Sequence, residues 1–324
     1  MKAYVFNEHG DYNTIKLGEA PKPAPADDQI LVKATYGGLN YIDSYFRKGI
    51  YPWTFPAIAG VEGSGVVEAV GSKVTNFAPG DRVICIGSGM FAEYFVAPAS
   101  RSVKLPENIK EEIALAGYLQ GMTALTLSEE AHKVLPGQYV LVHAVAGGVG
   151  LLLTQICKAR GAIVIGTTST PEKAEIAKAV GADHIIFYKT EDIVKRVMEI
   201  TNGYGVDVSF DSVGKDTVDI TMDSLAKFGS FVSYGNTTGP VPPFTINRLA
   251  PKNNHLCRPQ LYAYVSTPER LEKYSSELFE MISSGTLKIT IFKIYDFEDY
   301  RQAAEALETG KTSGKVLLKM ESSY

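Results

Sequence analysis

The sequence predicts an α/β protein of two domains, an irregular β domain and a doubly wound parallel sheet. The chain has 324 residues, more than one compact core usually holds. Short β-type segments and turns dominate its first third, whereas strands alternate with helices in its middle. We place the second domain at residues 123–260. Residues 1–122 and 261–324 form the first domain, because the C-terminal elements are expected to return and complete it.

The first domain is predicted from short alternating or β-branched segments that turns separate. Its expected strands are residues 1–7, 30–35, 64–70, 82–86 and 92–97, and the turn Pro79-Gly80-Asp81 precedes the fourth of them. After the second domain, the pattern predicts helices at 268–284 and 297–308 and a final strand at 315–320.

The second domain is predicted from a regular alternation of two kinds of segment. The expected strands are residues 139–144, 163–167, 184–187, 206–210 and 230–234, and the expected helices are 151–160, 171–180, 191–202 and 215–225. Pro171 suits the first turn of a helix, and Gly161 and Gly181 each end one. This alternation indicates a parallel sheet with helices on both faces.

The strongest chemical signal is residues 140–150, which read as a strand, a glycine turn and a helix start. The N–H groups of a helix N-terminus bind pyrophosphate, and a Cβ in the turn would block that approach. In the dinucleotide fingerprint G-x-G-x-x-G, Gly147 and Gly150 fill the second and third positions, and Val145 replaces the first. The alternative is a tight turn without a ligand, which the surrounding strands and helices disfavour.

The end of the second strand indicates which dinucleotide is bound. It reads Ile165-Gly166-Thr167-Thr168-Ser169-Thr170, without the acid that would bind the ribose 2′-OH of NAD. Ser169 and Lys173 suit a 2′-phosphate, so we predict NADPH. The alternative for Lys173 is a solvated helix residue. The loops 211–214 and 235–239 follow predicted strands and are expected to contact the nicotinamide, unless they are plain turns.

Bulk composition excludes several classes of protein. The net charge of −4 gives no sign of the strongly basic face that binding to a nucleic-acid backbone requires, although a local basic patch could still exist within that average. No signal sequence is expected at the N-terminus and no apolar run reaches membrane-spanning length. Cys85, Cys157 and Cys257 are few and far apart, which indicates a reducing cytoplasm rather than a disulfide framework.

No metal site is expected. Gly60-Val61-Glu62-Gly63 is similar to the Gly-His-Glu-Gly segment of zinc alcohol dehydrogenases, with Val61 in place of the zinc-binding His. Asn40 falls where those enzymes place a ligand Cys, and the chain has no CxxC for their structural zinc lobe. Neither Val61 nor Asn40 can replace such ligands.

An ordered set of motifs resembles the quinone oxidoreductases, the zeta-crystallin family of zinc-free medium-chain dehydrogenases/reductases. The likeness runs from the first strand to Gly314, and it is carried by residues 38–45, 47–52, 60–65, 146–150, 211–214 and 235–236. The resemblance implies a GroES-like irregular β-barrel catalytic domain and a Rossmann-type domain, with NADPH in the cleft between them. It also implies a homodimer built through the nucleotide-binding domains.

Site residues follow from the same resemblance. Asn40, Tyr45 and Tyr51 are expected to line the nicotinamide and quinone pocket. Contacts with the cofactor are expected from Asn40, Thr123, Gly147, Gly148, Val149, Ser169, Lys173, Tyr188, Ser212, Tyr234, Asn236 and Arg258. Lys173 and Tyr188 would hold the 2′-phosphate end. Family members often add a basic residue there, where this chain has Gly310 followed by Lys311.

The expected reaction is NADPH-dependent reduction of a quinone, by hydride or single-electron transfer. Tyr45 or Asn40 would hydrogen-bond the developing oxyanion. The enzymatic alternative is reduction of an alkenal or enone double bond with the same cofactor and fold. An alternative from another class is binding of AU-rich RNA, which some relatives do. It is expected only as a secondary activity, because no basic run is interleaved with aromatic residues.

Overall fold

A computed structural model describes residues 1–320 as two compact units. The first unit comprises Met1–Leu119, Thr267–Ser283 and residues 289–320, and the second comprises Gln120–Ser266 and Ser284–Lys288. The domain division expected between residues 122 and 123 and between residues 260 and 261 stays a prediction. The last four residues of the predicted first domain, 321–324, lie outside the described part of the chain. None of the helices within residues 1–320 is long and apolar enough to cross a membrane.

Strands and helices follow one another along the whole described chain. The strands are β1 Lys2–Phe6, β2 Lys16–Glu19, β3 Gln29–Leu39, β4 Ala57–Ile58, β5 Glu62–Val70, β6 Arg82–Ile86, β7 Tyr94–Pro98, β8 Ser102–Lys104, β9 Tyr139–Val142, β10 Ile163–Thr168, β11 His184–Phe187, β12 Val206–Asp211, β13 Leu225–Ser233, β14 His255–Cys257, β15 Ile291–Asp296 and β16 Lys315–Lys319. The α-helices are α1 Tyr41–Arg47, α2 Glu111–Thr126, α3 Gly148–Ala159, α4 Pro171–Ala179, α5 Ile193–Ile200, α6 Val218–Ser224, α7 Leu261–Tyr264, α8 Pro268–Ser283 and α9 Tyr300–Glu308. Shorter 3₁₀ turns lie at Ala99–Arg101, Ile246–Lys252 and Phe297–Asp299, and a π-helical turn at Leu127–Ala131.

The first unit is organised around β3. This strand pairs antiparallel with β5, β7 and β16. Six strands of its seven-stranded sheet have the order β15-β16-β3-β5-β6-β8, and the seventh, β7, lies off this path and pairs with β3. A separate three-stranded sheet has the order β2-β1-β4. Ile30 and Val32 of β3 are fully buried and pack with Phe91, Phe95 and Leu318 in the core. The C-terminal strand therefore completes the sheet that the N-terminal strands begin.

The second unit is a parallel sheet of order β11-β10-β9-β12-β13-β14. Counted from β9, this is the order 3-2-1-4-5-6 of dinucleotide-binding sheets, and the direction of winding reverses between β9 and β12. Leu141, Ile165 and Phe231 are fully buried and belong to its core. The predicted fold class is confirmed. The carboxyl ends of β9, β10, β12 and β13 meet at one edge, where ligands bind in such sheets.

Differences from the predicted elements have local physical causes. The strand expected at 139–144 ends at Val142, because Ala144 has a positive φ of 52° and turns the chain away. The helix expected from residue 151 begins at Gly148 instead, with Gly147 as its N-cap. β13 begins at Leu225, where the sequence predicted the last residue of a helix.

Several elements were missed by the sequence analysis, namely α1, α2, α7, β2, β4, β8, β14 and β15. The largest of them is α2, in which Ala114, Leu115, Ala116, Met122 and Ala124 are buried. These residues cover most of the helix circumference. A helix that is apolar on most sides lacks the one-sided stripe from which a helix is recognised.

Candidate functional site

The turn between β9 and α3 is tightly packed and leaves no room for a side chain at Gly150. The Gly147 N–H donates to the Ala144 carbonyl oxygen at 2.9 Å and reverses the chain. A Cβ on Gly150 would lie 2.6 Å from the Ala144 carbonyl oxygen and 2.7 Å from that of Val145. The first N–H groups of α3 have no partner within the helix and form its positive end. An anionic group fits this place.

A second turn, residues 211–214, lies at the end of β12. The Asp211 Oδ1 accepts the N–H groups of Val213 at 2.7 Å and Gly214 at 3.1 Å. A Cβ on Gly235 would collide with the backbone of Ser212, so the turn after β13 packs directly against this one. Tyr234 hydrogen-bonds Ser212, and burial raises the pKa of Tyr234.

Arg258 stabilises the turn after β13. Its Nη1 donates to the Ser233 carbonyl oxygen at 2.9 Å and to that of Gly235 at 3.1 Å. With its amide nitrogen directed to the Gly235 carbonyl, the Asn236 side chain accepts from Arg258 Nη2 at 2.9 Å. Arg258 therefore holds Asn236 through contacts within the protein.

Two lysines, Lys173 and Lys189, lie close enough beyond the end of β10 for their charges to interact. Thr170 caps α4 by accepting the Lys173 N–H at 3.4 Å. Burial, and secondly the charge of Lys189, lower the pKa of the half-buried Lys173. Since like charges repel, an anion bound between these lysines would be favoured. Ser169, which directly precedes Thr170, is half-buried, and Tyr188 is 50% exposed.

The structure therefore brings most of the predicted cofactor residues to one sheet edge. Gly147, Gly148 and Val149 begin α3, where the amide of Gln120 lies against Gly148. Thr123 follows Gln120 by one turn of α2 and is half-buried. Gln120 had no signal in the sequence, because only folding places it beside the glycine turn.

In the first unit, Asn40 belongs to a buried polar cluster. Its Nδ2 donates to Glu62 Oε2 at 2.8 Å and to the Gly38 carbonyl oxygen at 3.1 Å, and its Oδ1 accepts from Lys315 Nζ at 2.7 Å. An amide carries two N–H donors, so both hydrogens of Asn40 are engaged. Asn40 also begins α1, where its N–H donates to Asp43 at 2.8 Å.

The cluster is built on an ion pair without contact with solvent. Lys315 Nζ lies 2.5 Å from Glu62 Oε2, and the two side chains are 1% and 0% exposed. Glu62 Oε1 also accepts the Leu119 N–H at 2.8 Å. Burial raises the pKa of the nearby Asp43 to about 7, although the Asn40 N–H and the Lys315 charge act in the opposite direction.

Tyr45 and Tyr51 form an aromatic pair and follow Asn40 closely in the sequence. Their ring centroids are 5.5 Å apart at an interplanar angle of 79°, and Phe46 lies 5.7 Å from Tyr51. Tyr45 is buried and Tyr51 is half-buried. An open cavity of about 810 Å³ in this unit is lined by Phe46 and Trp53, and neither tyrosine is among its lining residues.

The position similar to a zinc ligand is apolar. Val61 is 1% exposed and lies within the β-rich unit. Across residues 1–320, no three or more His, Cys, Asp or Glu side chains are grouped so that they could hold a metal ion.

Comparison with known proteins agrees with this architecture. Residues 26–107 match the family described as "Alcohol dehydrogenase GroES-like domain", and residues 148–280 match the "Zinc-binding dehydrogenase" family. The chain is 43% identical to a "Probable quinone oxidoreductase" of Schizosaccharomyces pombe, over 93% of this chain and 91% of that protein. It is 35% identical to a "2-haloacrylate reductase" of Burkholderia, over 98% of each.

Among solved structures, the chain resembles the Escherichia coli quinone oxidoreductase complexed with NADPH. The TM-score is 0.96 at 37% identity, and the match covers 99% of this chain and 100% of that one.

The buried ion pair yields a prediction about stability. Lys315→Met leaves Glu62 as an uncompensated buried charge, so we expect the free energy of unfolding to fall by about 3–5 kcal/mol. Adding Glu62→Gln should restore most of the loss. Lys104→Met, which breaks the more exposed pair with Asp81, should cost less than about 1 kcal/mol. Chemical unfolding of the three variants measures these values. Equal losses in the single and double variants would contradict the role of the charge.

Proposed function

The chain belongs to the quinone oxidoreductase family of medium-chain dehydrogenases/reductases, and on that premise we propose that it reduces quinones with NADPH. The observation that carries the proposal is the glycine turn that begins α3 at the carboxyl edge of a 3-2-1-4-5-6 sheet. The two units correspond, in this proposal, to a GroES-like catalytic domain and a Rossmann-type domain.

The residues present fit a dinucleotide that carries a 2′-phosphate. Gly150 is closed to a Cβ, which would lie 2.6 Å from the Ala144 carbonyl oxygen, and the helix that begins at this turn offers N–H groups to a pyrophosphate. Lys173 and Ser169 would hold the 2′-phosphate, with Tyr188 beside it. The nearby Glu172 carboxylate is held by its own N–H and by Thr170. When bound, the cofactor supplies a reducing equivalent from its nicotinamide ring.

The nicotinamide end is assigned to the turns after β12 and β13. We propose that Ser212, Tyr234 and Asn236 contact it, together with Thr123 of α2 and with Gly148 and Val149, which begin α3. The Ser212–Tyr234 hydrogen bond and the contacts of Arg258 with this turn support the assignment, because they hold the contacting groups in place before any ligand binds.

The acceptor is assigned to residues of the first unit through the family resemblance. We propose that Tyr45 and Tyr51 contact the quinone ring and that the Tyr45 hydroxyl donates to the developing oxyanion. Both amide hydrogens of Asn40 are engaged by Glu62 and Gly38, which favours Tyr45 over Asn40 as this donor. Asn40 would instead fix the start of α1, the helix that carries Tyr45.

A second candidate is reduction of a conjugated carbon–carbon double bond. The relative that supports it is the 2-haloacrylate reductase, which the chain matches over almost its whole length. The same cofactor and the same two units would serve both reactions.

We propose a homodimer through the second unit, because the edge strand β14 exposes Leu256, and Phe228 and Ile246 are 66% and 76% exposed on the same unit. We propose a reducing compartment, the cytoplasm, because Cys85 and Cys157 are free and buried.

Steady-state kinetics test the proposed reaction. With purified protein, we expect an ortho- or para-quinone to drive NADPH oxidation, faster than with NADH and unchanged by a chelator. An α,β-unsaturated ketone should be the poorer acceptor. Faster turnover of the ketone would favour the second candidate, and NADPH binding without turnover of any quinone would contradict the proposed function.

Lys173→Gln tests the choice of cofactor. Loss of a charged hydrogen bond to the 2′-phosphate should raise the Kd for NADPH about tenfold or more and leave the Kd for NADH nearly unchanged. Lys178→Gln is the matched control, because Lys178 lies on the same helix and pairs with Glu175 at the surface. Equal effects of Lys173→Gln on the two cofactors would show that Lys173 does not read the phosphate.

Tyr45→Phe tests the oxyanion donor. We expect kcat for quinone reduction to fall by roughly 10²-fold, while the KM for NADPH stays unchanged. Tyr41→Phe, one helical turn away on α1, should have little effect. If the kcat of Tyr45→Phe equals that of the original protein, the hydroxyl has no such role.

A further inference from the structure

A continuous chain of buried hydrogen bonds runs beneath the carboxyl edge of the parallel sheet. It joins Thr167 at the end of β10, His143 after β9, Thr221 on α6 and Asp211 at the end of β12. The exposed fractions of these side chains are 2% for Thr167 and 0% for the other three. None of them has a part in the proposed reaction.

The direction of every hydrogen bond in the chain follows from its acceptor end. Asp211 Oδ2 accepts the hydroxyls of Thr217 at 2.7 Å and Thr221 at 3.0 Å, because a carboxylate has no hydrogen to give. The hydroxyl hydrogen of Thr221 is thus already donated to Asp211. Thr221 Oγ1 therefore accepts from His143 Nε2–H, at 3.1 Å. Burial lowers the pKa of His143 and favours the neutral ring.

The directions of the two remaining hydrogen bonds, from Thr167 to His143 and from Ala144 to Thr167, follow from this assignment. A neutral His143 that carries its hydrogen on Nε2 has a lone pair on Nδ1, which accepts the Thr167 hydroxyl at 3.3 Å. Thr167 Oγ1 in turn accepts the N–H of Ala144 at 3.3 Å. Each group donates in one direction, from the Ala144 amide towards the Asp211 carboxylate.

The two ends of this chain lie in the two turns assigned to the cofactor. Ala144, with φ 52°, is the residue that turns β9 into the glycine turn. At the other end, the Oδ1 of Asp211 holds the N–H groups of Val213 and Gly214, and this turn packs against the one after β13. Among the groups joined by these hydrogen bonds, His143 and Asp211 are the titratable ones.

We propose that His143 is a positioning residue that fixes the glycine turn relative to the turn 211–214, so that the pyrophosphate and nicotinamide ends of one cofactor are held in register. This inference rests on the NADPH binding of the proposed function. In a buried network, each lost hydrogen bond leaves a partner unsatisfied, so a break at one link is felt by both turns. The adenosine end, at Lys173 and Ser169, lies outside the chain of hydrogen bonds.

The test uses conservative variants of the full-length protein. Thr221→Val keeps the shape of the side chain and removes the link between His143 and Asp211, whereas Thr221→Ser retains the hydroxyl. Thr154→Val is the matched control, since Thr154 is a fully buried threonine of α3 whose hydroxyl makes no hydrogen bond among the described residues. Thr167→Val breaks the opposite end and serves if Thr221→Val does not fold.

Two Kd values are measured for each variant, one for NADPH and one for adenosine 2′,5′-bisphosphate, which lacks the nicotinamide half. We expect Thr221→Val and Thr167→Val to weaken NADPH binding roughly three- to thirtyfold and to leave the bisphosphate Kd unchanged. Thr221→Ser and Thr154→Val should bind both ligands as the original protein does.

An equal loss for both ligands, or a lower unfolding midpoint with both Kd values unchanged, would overturn the positioning role and leave a structural one. The proposed function is judged separately, by quinone turnover of the original protein. If that protein oxidises NADPH with a quinone while the Kd values of the variants do not change, the inference fails and the function stands. If it does not bind NADPH, both fail.

Discussion

The site depends on the parallel register of β9 between β10 and β12. Because the three strands run in one direction, the residues that follow each strand meet at one edge of the sheet. The turns there are so tightly packed that a Cβ on Gly150 would meet backbone oxygen atoms. Close backbone approach is what opens the helix terminus to an anion, and it is also what makes the turns intolerant of side chains.

Two buried carboxylates support the two halves of the molecule in different ways. Asp211 is satisfied by backbone N–H groups and threonine hydroxyls, so it acts as a hydrogen-bond acceptor that joins turns. Glu62 is satisfied by the Lys315 ammonium, the Asn40 amide and one N–H, so it acts as half of an ion pair. In both cases every link must be present, because an unpaired buried charge costs more than the pair contributes.

Much of this could be predicted from local sequence, and the rest could not for identifiable reasons. The glycine turn could be located, and Lys173 proposed as a phosphate contact, because strand, turn, helix and missing acid lie within a short segment of chain. Lys315 could not be assigned, since its partner Glu62 lies 253 residues away and only the completed β3–β16 pairing joins them. His143 carried no signal alone, because its role depends on hydroxyls from two other elements.

Amide hydrogen exchange with and without saturating NADPH tests the central claim most directly, namely that the cofactor is bound by the turns at the carboxyl edge of the parallel sheet. The account predicts that NADPH slows exchange in residues 144–150, 211–214 and 235–239 together. Protection confined to other parts of the chain, or protection of one turn without the others, would contradict it.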